Sequence, residues 1–290
     1  MSRLFCIFIA KPLPMNIRSI LVPTDFSPCS LNALRIAVQL AQQFNARLHL
    51  VHAIRVPTPH AGVSARALVD PIVQGIGEEV EAHWARLEGE VPGLASVKYE
   101  HQVFRAHALD AIYTAMKTGK ADLIVMGTKG SHSSLEKMLG GVSTDVIRMG
   151  EVPVLVVPEA VEQFRPERIA LAADFKQTES FASLDILKRL VMLFSSEIWV
   201  VNVTDGDPQR FASLVESFKV DKFLASTPHR FETVKSDSVT KGLFRFVADN
   251  RLDMLVMMPR RHGLFDRIFS SSQTQKVAMA IQVPLLAVPV

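Results

Sequence analysis

Short continuous apolar runs alternate along this chain with stretches of three- and four-residue apolar spacing, the pattern of buried strands separated by amphipathic helices. The first run, Ile17–Thr24, is rich in β-branched residues and stops at Asp25. A helix is expected directly after it. Ser27 can cap that helix, Pro28 suits its first position, and Leu31, Leu34, Val38 and Ala41 give it one apolar face. The same reading predicts a strand at Arg47–Ile54, a Pro/Gly-rich stretch, a helix at Ile76–Leu87 and a strand at Val97–Phe104. Helix Ala108–Met116, strand Asp122–Met126, a Gly-rich segment, helix Val142–Met149 and strand Val152–Val157 follow. Strand and helix in strict alternation argue for a parallel sheet covered on both faces.

The second half repeats this order, with strands expected at Ile169–Ala173, Ile198–Val203, Phe231–Lys235, Asp253–Met258 and Val283–Val288. Asp122 to Pro153 spans 31 residues, and so does Asp253 to Pro284. Between those anchors Asp-Leu-Ile-Val-Met-Gly is matched by Asp-Met-Leu-Val-Met-Met, and Val-Pro-Val-Leu-Val-Val-Pro by Val-Pro-Leu-Leu-Ala-Val-Pro. These strings indicate a duplication. Asp25 to Asp122 covers 97 residues but Asp174 to Asp253 only 79, so the second copy is shorter by 18, in the region of the Pro/Gly-rich stretch. The expected organisation is an N-terminal extension (1–16), a first domain (17–158), a linker (159–166) and a degenerate second domain (167–290). Met15 offers a second start beside Met1.

The chemistry concentrates in Gly127–Thr144, which leaves the end of a strand and runs into a helix. Gly127 and Gly130 permit torsions that turn successive N–H groups toward one point and remove Cβ atoms that would hold an anion away. Gly140 and Gly141 precede a helix whose first N–H groups are unpaired and carry the positive end of its dipole, with Ser143 and Thr144 as further donors. Together these are parts for a polyphosphate; the other reading is a glycine loop with a structural role alone. The spacing is neither the P-loop nor the dinucleotide G-x-G-x-x-G pattern. Glycines at 127, 130 and 140 give G-x2-G-x9-G instead.

That spacing, with Val-Pro-Thr-Asp at 22–25 and Val-Pro-Val-Leu-Val-Val-Pro at 152–158, resembles the universal stress protein family, whose nucleotide-binding members carry G-x2-G-x9-G followed by Ser or Thr. The resemblance runs from Ile17 to Val290 as a tandem pair. It implies an α/β fold of two tandem open parallel five-stranded sheets in the order 3-2-1-4-5, with helices on both faces and pseudo-twofold pairing. Ligands of such sheets sit beyond the carboxyl ends of strands where the winding reverses, here between Asp25 and Gly127. Carried over by position, Pro23, Thr24, Asp25, Ala53 and Met126 would surround adenine and ribose. Gly127, Gly130, Gly140, Gly141, Val142 and Ser143 would line the phosphates of ATP or a related adenine nucleotide, with or without Mg2+. Asp25 has two readings, an acceptor for a ligand donor or a cap on the loop that follows it.

One position departs from the pattern. ATP-binding members place Ser or Thr after the third glycine, and this chain has Gly141. A lost hydrogen bond to a charged group is worth about 1.5–3 kcal/mol, roughly ten- to a hundredfold in affinity, unless Ser143 or a water replaces it. In the second copy the matching positions are Met258, Arg261, Ser271 and Ser272, and Pro259 removes a donor, so no second cradle of this design is expected. Arg260, Arg261 and His262 read as a solvated basic loop or an anion site. The family pairs its final strands across a dimer; here Val152–Pro158 and Val283–Pro289 are expected to pair within one chain and cover each other's edges, and the whole chain to dimerise again through its sheet edges.

Composition sets the outer bounds. The chain has 290 residues, 48% hydrophobic and 21% charged, enough for two cores of ordinary size. Its net charge of +3 is spread as thirteen basic and thirteen acidic residues over 17–158 and seventeen and sixteen over 159–290, which argues against nucleic acid and anionic membrane as partners. The apolar run Leu4–Ala10 is too short to span a bilayer and lacks a cleavage site. Cys6 and Cys29 form neither a disulfide framework nor a zinc pattern, and the expected compartment is the cytoplasm. His49, His52, His101, His107 and His132 lack metal-ligand spacing, and Cys29 reads as an inert thiol or one made acidic by the start of its helix. Three functions stay open: a nucleotide-dependent stress-response regulator with at most weak ATPase activity, an adapter that binds no nucleotide, and an enzyme cleaving ATP. Neither Ser-Gly-Gly-x-Asp-Ser nor His-x-Gly-His, which would favour the enzyme, is present.

Overall fold

The computed structural model describes residues 16–55, 64–128, 141–173, 184–204, 214–259 and 282–289. Strand β1 (Ser19–Pro23) leads into α1 (Pro28–Phe44), then β2 (Arg47–Ala53), α2 (Ser64–Glu90), a 3-10 turn, β3 (Tyr99–Phe104), α3 (Ala108–Gly119), β4 (Leu123–Thr128), α4 (Gly141–Met149) and β5 (Val154–Pro158). The second half runs β6 (Arg168–Ala172), α5 (Asp185–Phe194), β7 (Glu197–Thr204), α6 (Leu214–Leu224), β8 (His229–Lys235), α7 (Val239–Asp249), β9 (Met254–Met257) and β10 (Leu285–Ala287). Ser27 caps α1 by accepting from Ser30 N, and Pro28 opens the helix, as the local sequence requires. Asn45 closes it in the left-handed conformation at φ 52°.

The strands form one continuous sheet in the order β3-β2-β1-β4-β5-β10-β9-β6-β7-β8. Each half has the expected 3-2-1-4-5 order with parallel neighbours. The halves fuse where β5 and β10 pair antiparallel, with Leu285 opposite Val156 and Ala287 opposite Val154. An antiparallel join between two parallel halves is what a pseudo-twofold axis in the seam produces. The repeated aspartates anchor corresponding points: Asp122 Oδ2 accepts from the N–H groups of Arg18 and Ser19, and Asp253 Oδ2 from those of Glu167 and Arg168.

Three features of the fold bear on the sequence expectations. First, the apolar interior runs across both halves. It is two layers, one on each sheet face, and both cross the seam: Leu155, Val157, Leu286 and Val288 belong to the layer under α1, α2, α5 and α6, while Val154, Val156, Leu285 and Ala287 belong to the layer under α3, α4 and α7. Alternating side chains of the two paired strands feed opposite faces, so the seam cannot separate the layers. Second, α2 begins at Ser64 rather than Ile76 and runs through Pro71 and Gly75. The proline forfeits one backbone hydrogen bond, which helical residues on both sides outweigh. Third, residues 159–166, the expected linker, pack against α1 and α5. Asn32 Nδ2 donates to the carbonyls of Pro158, Glu159 and Val161, Gln39 Nε2 donates to Phe164 O, and the Phe164 ring is 1% exposed against Phe194.

Candidate functional site

The chain between β1 and α1 is built from local hydrogen bonds. Thr24 Oγ1 accepts from Phe26 N at 3.1 Å and lies 3.1 Å from Ser30 Oγ. Asp25 Oδ1 accepts from both Ser27 N (3.1 Å) and Ser27 Oγ (2.5 Å). Burial pushes the Asp25 carboxyl up, but the hydrogen bonds from the Ser27 side chain and backbone and from Ser30 outweigh it and hold the group below the usual carboxylate range. Asp25 is therefore an exposed, ionised carboxylate at the end of β1. The loop-capping reading of Asp25 is thus part of the structure, and it leaves Oδ2 outside these two bonds.

Gly127 is needed for a reason the spacing does not show. It lies within β4, and its φ is not among the positive values of the described residues, so it supplies no special torsion. Instead α1 comes so close that a Cβ at this position would lie 2.5 Å from Cys29 O and 2.6 Å from Cys29 Sγ. The Cys29 thiol is buried and donates to Thr128 O at 2.7 Å, tying the first turn of α1 to the end of β4. The contact packs the helix against the strand.

Between these elements lies a cleft of about 350 Å³ at the carboxyl ends of β1, β2 and β4. One wall is apolar: Val51 and Ala53 of β2, Met126 of β4, and Ala108, Ala111 and Ile112 of α3. Pro23, Thr24, Asp25, Ser27 and Ser30 form the β1 side, joined by His52, whose Nδ1 lies 2.8 Å from Thr24 O. A carbonyl only accepts, so Nδ1 carries the proton there. The opposite end is formed by Gly127, Thr128 and the start of α4 with Gly141, Val142 and Ser143. Among the described residues a Cβ on Gly141 would meet nothing within 4 Å. At that end the first N–H groups of α4 and its dipole favour an anion.

Nine of the sequence-nominated residues thus share one cavity: Pro23, Thr24, Asp25, Ala53, Met126, Gly127, Gly141, Val142 and Ser143. Gly130 and Gly140 lie outside the described residues, as do Lys129, Asp174 and the 260–272 segment of the second copy. The apolar wall from α3, together with Ser27, Ser30, His52 and Thr128, was missed. Ala108, Ala111 and Ile112 read as one buried face of a helix, and nothing in their order distinguishes a cleft wall from core. Among the described residues no cluster of three or more His, Cys, Asp or Glu side chains could hold a metal ion, and no helix is long and apolar enough to cross a membrane.

The architecture and cleft define an open-sheet α/β protein with a ligand-sized cavity at the strand-order reversal of its first half. A profile of the Universal stress protein family matches residues 16–158. A universal stress protein of Methanocaldococcus jannaschii is 30% identical over 143 residues, covering 48% of this chain and 81% of the relative. Universal stress protein A homolog 1 of Coxiella burnetii is 29% identical over 149 residues, covering 49% and 97%. The crystal structure of a universal stress protein from Archaeoglobus fulgidus superposes with a TM-score of 0.72 at 18% identity, covering 95% of this chain and 99% of that one, so the likeness of fold extends through both halves. This chain belongs to the universal stress protein family.

Proposed function

We propose that the cleft binds an adenine nucleotide, ATP in the first instance, and that the protein is a cytoplasmic stress-response regulator whose partner binding depends on that occupancy. The observation that carries the reading is the make-up of the cavity lining. Its apolar wall from β2, β4 and α3 suits a purine, the ionised Asp25 on the β1 side can accept from a ribose hydroxyl or base amine, and the start of α4 with Ser143 suits phosphates. Mg2+ would then be held through the phosphates rather than by a protein cage. Gly141 leaves the α4 end without a side-chain hydroxyl at its first residue, which makes affinity rest on backbone donors and Ser143.

Calorimetric titration with ATP and Mg2+ tests this. Saturable binding at one site per chain is expected, and Gly141→Asp should weaken it by at least about a hundredfold, because it brings like charge against the phosphates at a position with room for the side chain. Absence of heat and of any thermal shift with ATP, ADP or AMP would leave the adapter function, in which the glycine segment is structural.

A further inference from the structure

The turn that presents Asp25 is held in place from outside the cleft. Phe26 has φ 59°, in the left-handed region, which is disfavoured for a bulky L residue. The other described non-glycine residues with positive φ are Asn45, Lys120, Ser195 and Arg251, three of them helix C-caps, and none is aromatic. The bonds from Ser27 to Asp25 Oδ1 and from Phe26 N to Thr24 Oγ1 close around this residue, so Ser27 N returns to the carboxylate only while the backbone at 26 turns back on itself.

The ring of Phe26 is gripped on three sides. His83 of α2 stacks on it at 4.7 Å with planes 11° apart, Trp84 of α2 meets it edge-on at 4.8 Å and 78°, and His52 lies at 4.8 Å. Trp84 is itself buried and stacks on His101 of β3 at 4.5 Å. A disfavoured backbone state persists only where its surroundings over-determine it. Here the surroundings come chiefly from one helix.

We infer that His83 and Trp84 are positioning residues for the cleft: by gripping the Phe26 ring, α2 holds the left-handed turn that presents Asp25 to a ligand. The inference rests on the nucleotide reading of the cleft and adds a means of regulating it. A partner that draws α2 away from the sheet releases Phe26 from the turn, frees Ser27 from Asp25 and weakens the ligand, without touching the cavity.

The test is a double-mutant cycle read as ATP affinity by calorimetry, with folding of each variant checked by circular dichroism. Trp84→Leu should weaken ATP binding by about tenfold, the factor that corresponds to releasing one residue from a left-handed turn. His83→Ala should weaken it in the same direction by less. Glycine adopts positive φ without a grip. In the Phe26→Gly background, Trp84→Leu should therefore cause no further loss, a result that simple damage to the core would not give. The inference falls if Trp84→Leu leaves ATP affinity unchanged in a wild-type background that binds, or if it costs the same in both backgrounds. Should Trp84→Leu not fold, His83→Ala in the two backgrounds carries the same comparison. If the wild-type protein binds no ATP, the nucleotide reading fails and the inference with it, and this is seen before any variant is made.

Discussion

Asp25 shows how much one side chain's surroundings decide at the residue scale. Its sequence context, a carboxylate two residues before a helix-capping serine, specifies the bonds from Ser27 that hold it ionised. Its folded pKa lies below the unfolded value of about 3.9, so its stabilising contribution is present above that pH and is lost as the pH falls through the folded value. Asp25→Asn removes the titration. Comparing melting temperatures of the two proteins from pH 6 to pH 3, the wild-type advantage should shrink only in the acid part of the range; a constant difference would mean that Asp25 does not titrate with folding. Gly127 shows the limit of the same kind of reading. The motif marks it for its torsional freedom, yet the structure uses it for its missing Cβ against Cys29.

Elements were legible where periodicity and caps agree. The start of α1 follows from Ser27 and Pro28, and the strands lie within two residues of the apolar runs at most of their ends. The start of α2 was not legible, because Pro71 and Gly75 carry breaker signals that the helix overrides. Residues 159–166, expected as a linker, add a contact that composition does not show: a single aromatic side chain, Phe164, packs against α1 and α5. Phe164→Ala should therefore cost about 3–5 kcal/mol in urea denaturation. A loss below about 1 kcal/mol, the scale of a surface change, would mean the segment is only draped over the sheet.

For the whole molecule, the antiparallel pairing of β5 with β10 joins ten strands into a single sheet and carries each apolar layer across the seam. Neither half can unfold without exposing the strand and side chains that complete the other. The expected calorimetric result is one cooperative transition whose van't Hoff and calorimetric enthalpies agree. Two resolved transitions would show that the halves are energetically separate despite the shared sheet.

By itself the sequence determined the α/β alternation, the duplication and the order of elements, because apolar periodicity, capping and turn residues act over a few positions and leave their mark in order; the nine residues that share the cleft were nominated through the resemblance to the family carried by the motifs at 22–25 and 127–140. Tertiary structure alone decided which residues face that cleft from a distance. Ala108, Ala111 and Ile112 become its wall because α3 packs over β1 and β2, and Cys29 comes to rest on Gly127 from 98 residues away. It also decided the left-handed turn at Phe26, where rings from another helix and strand override the preference of the residue's own backbone. Short-range physics fixes what a segment is; packing between distant segments fixes what it touches, and the cleft is made of contacts.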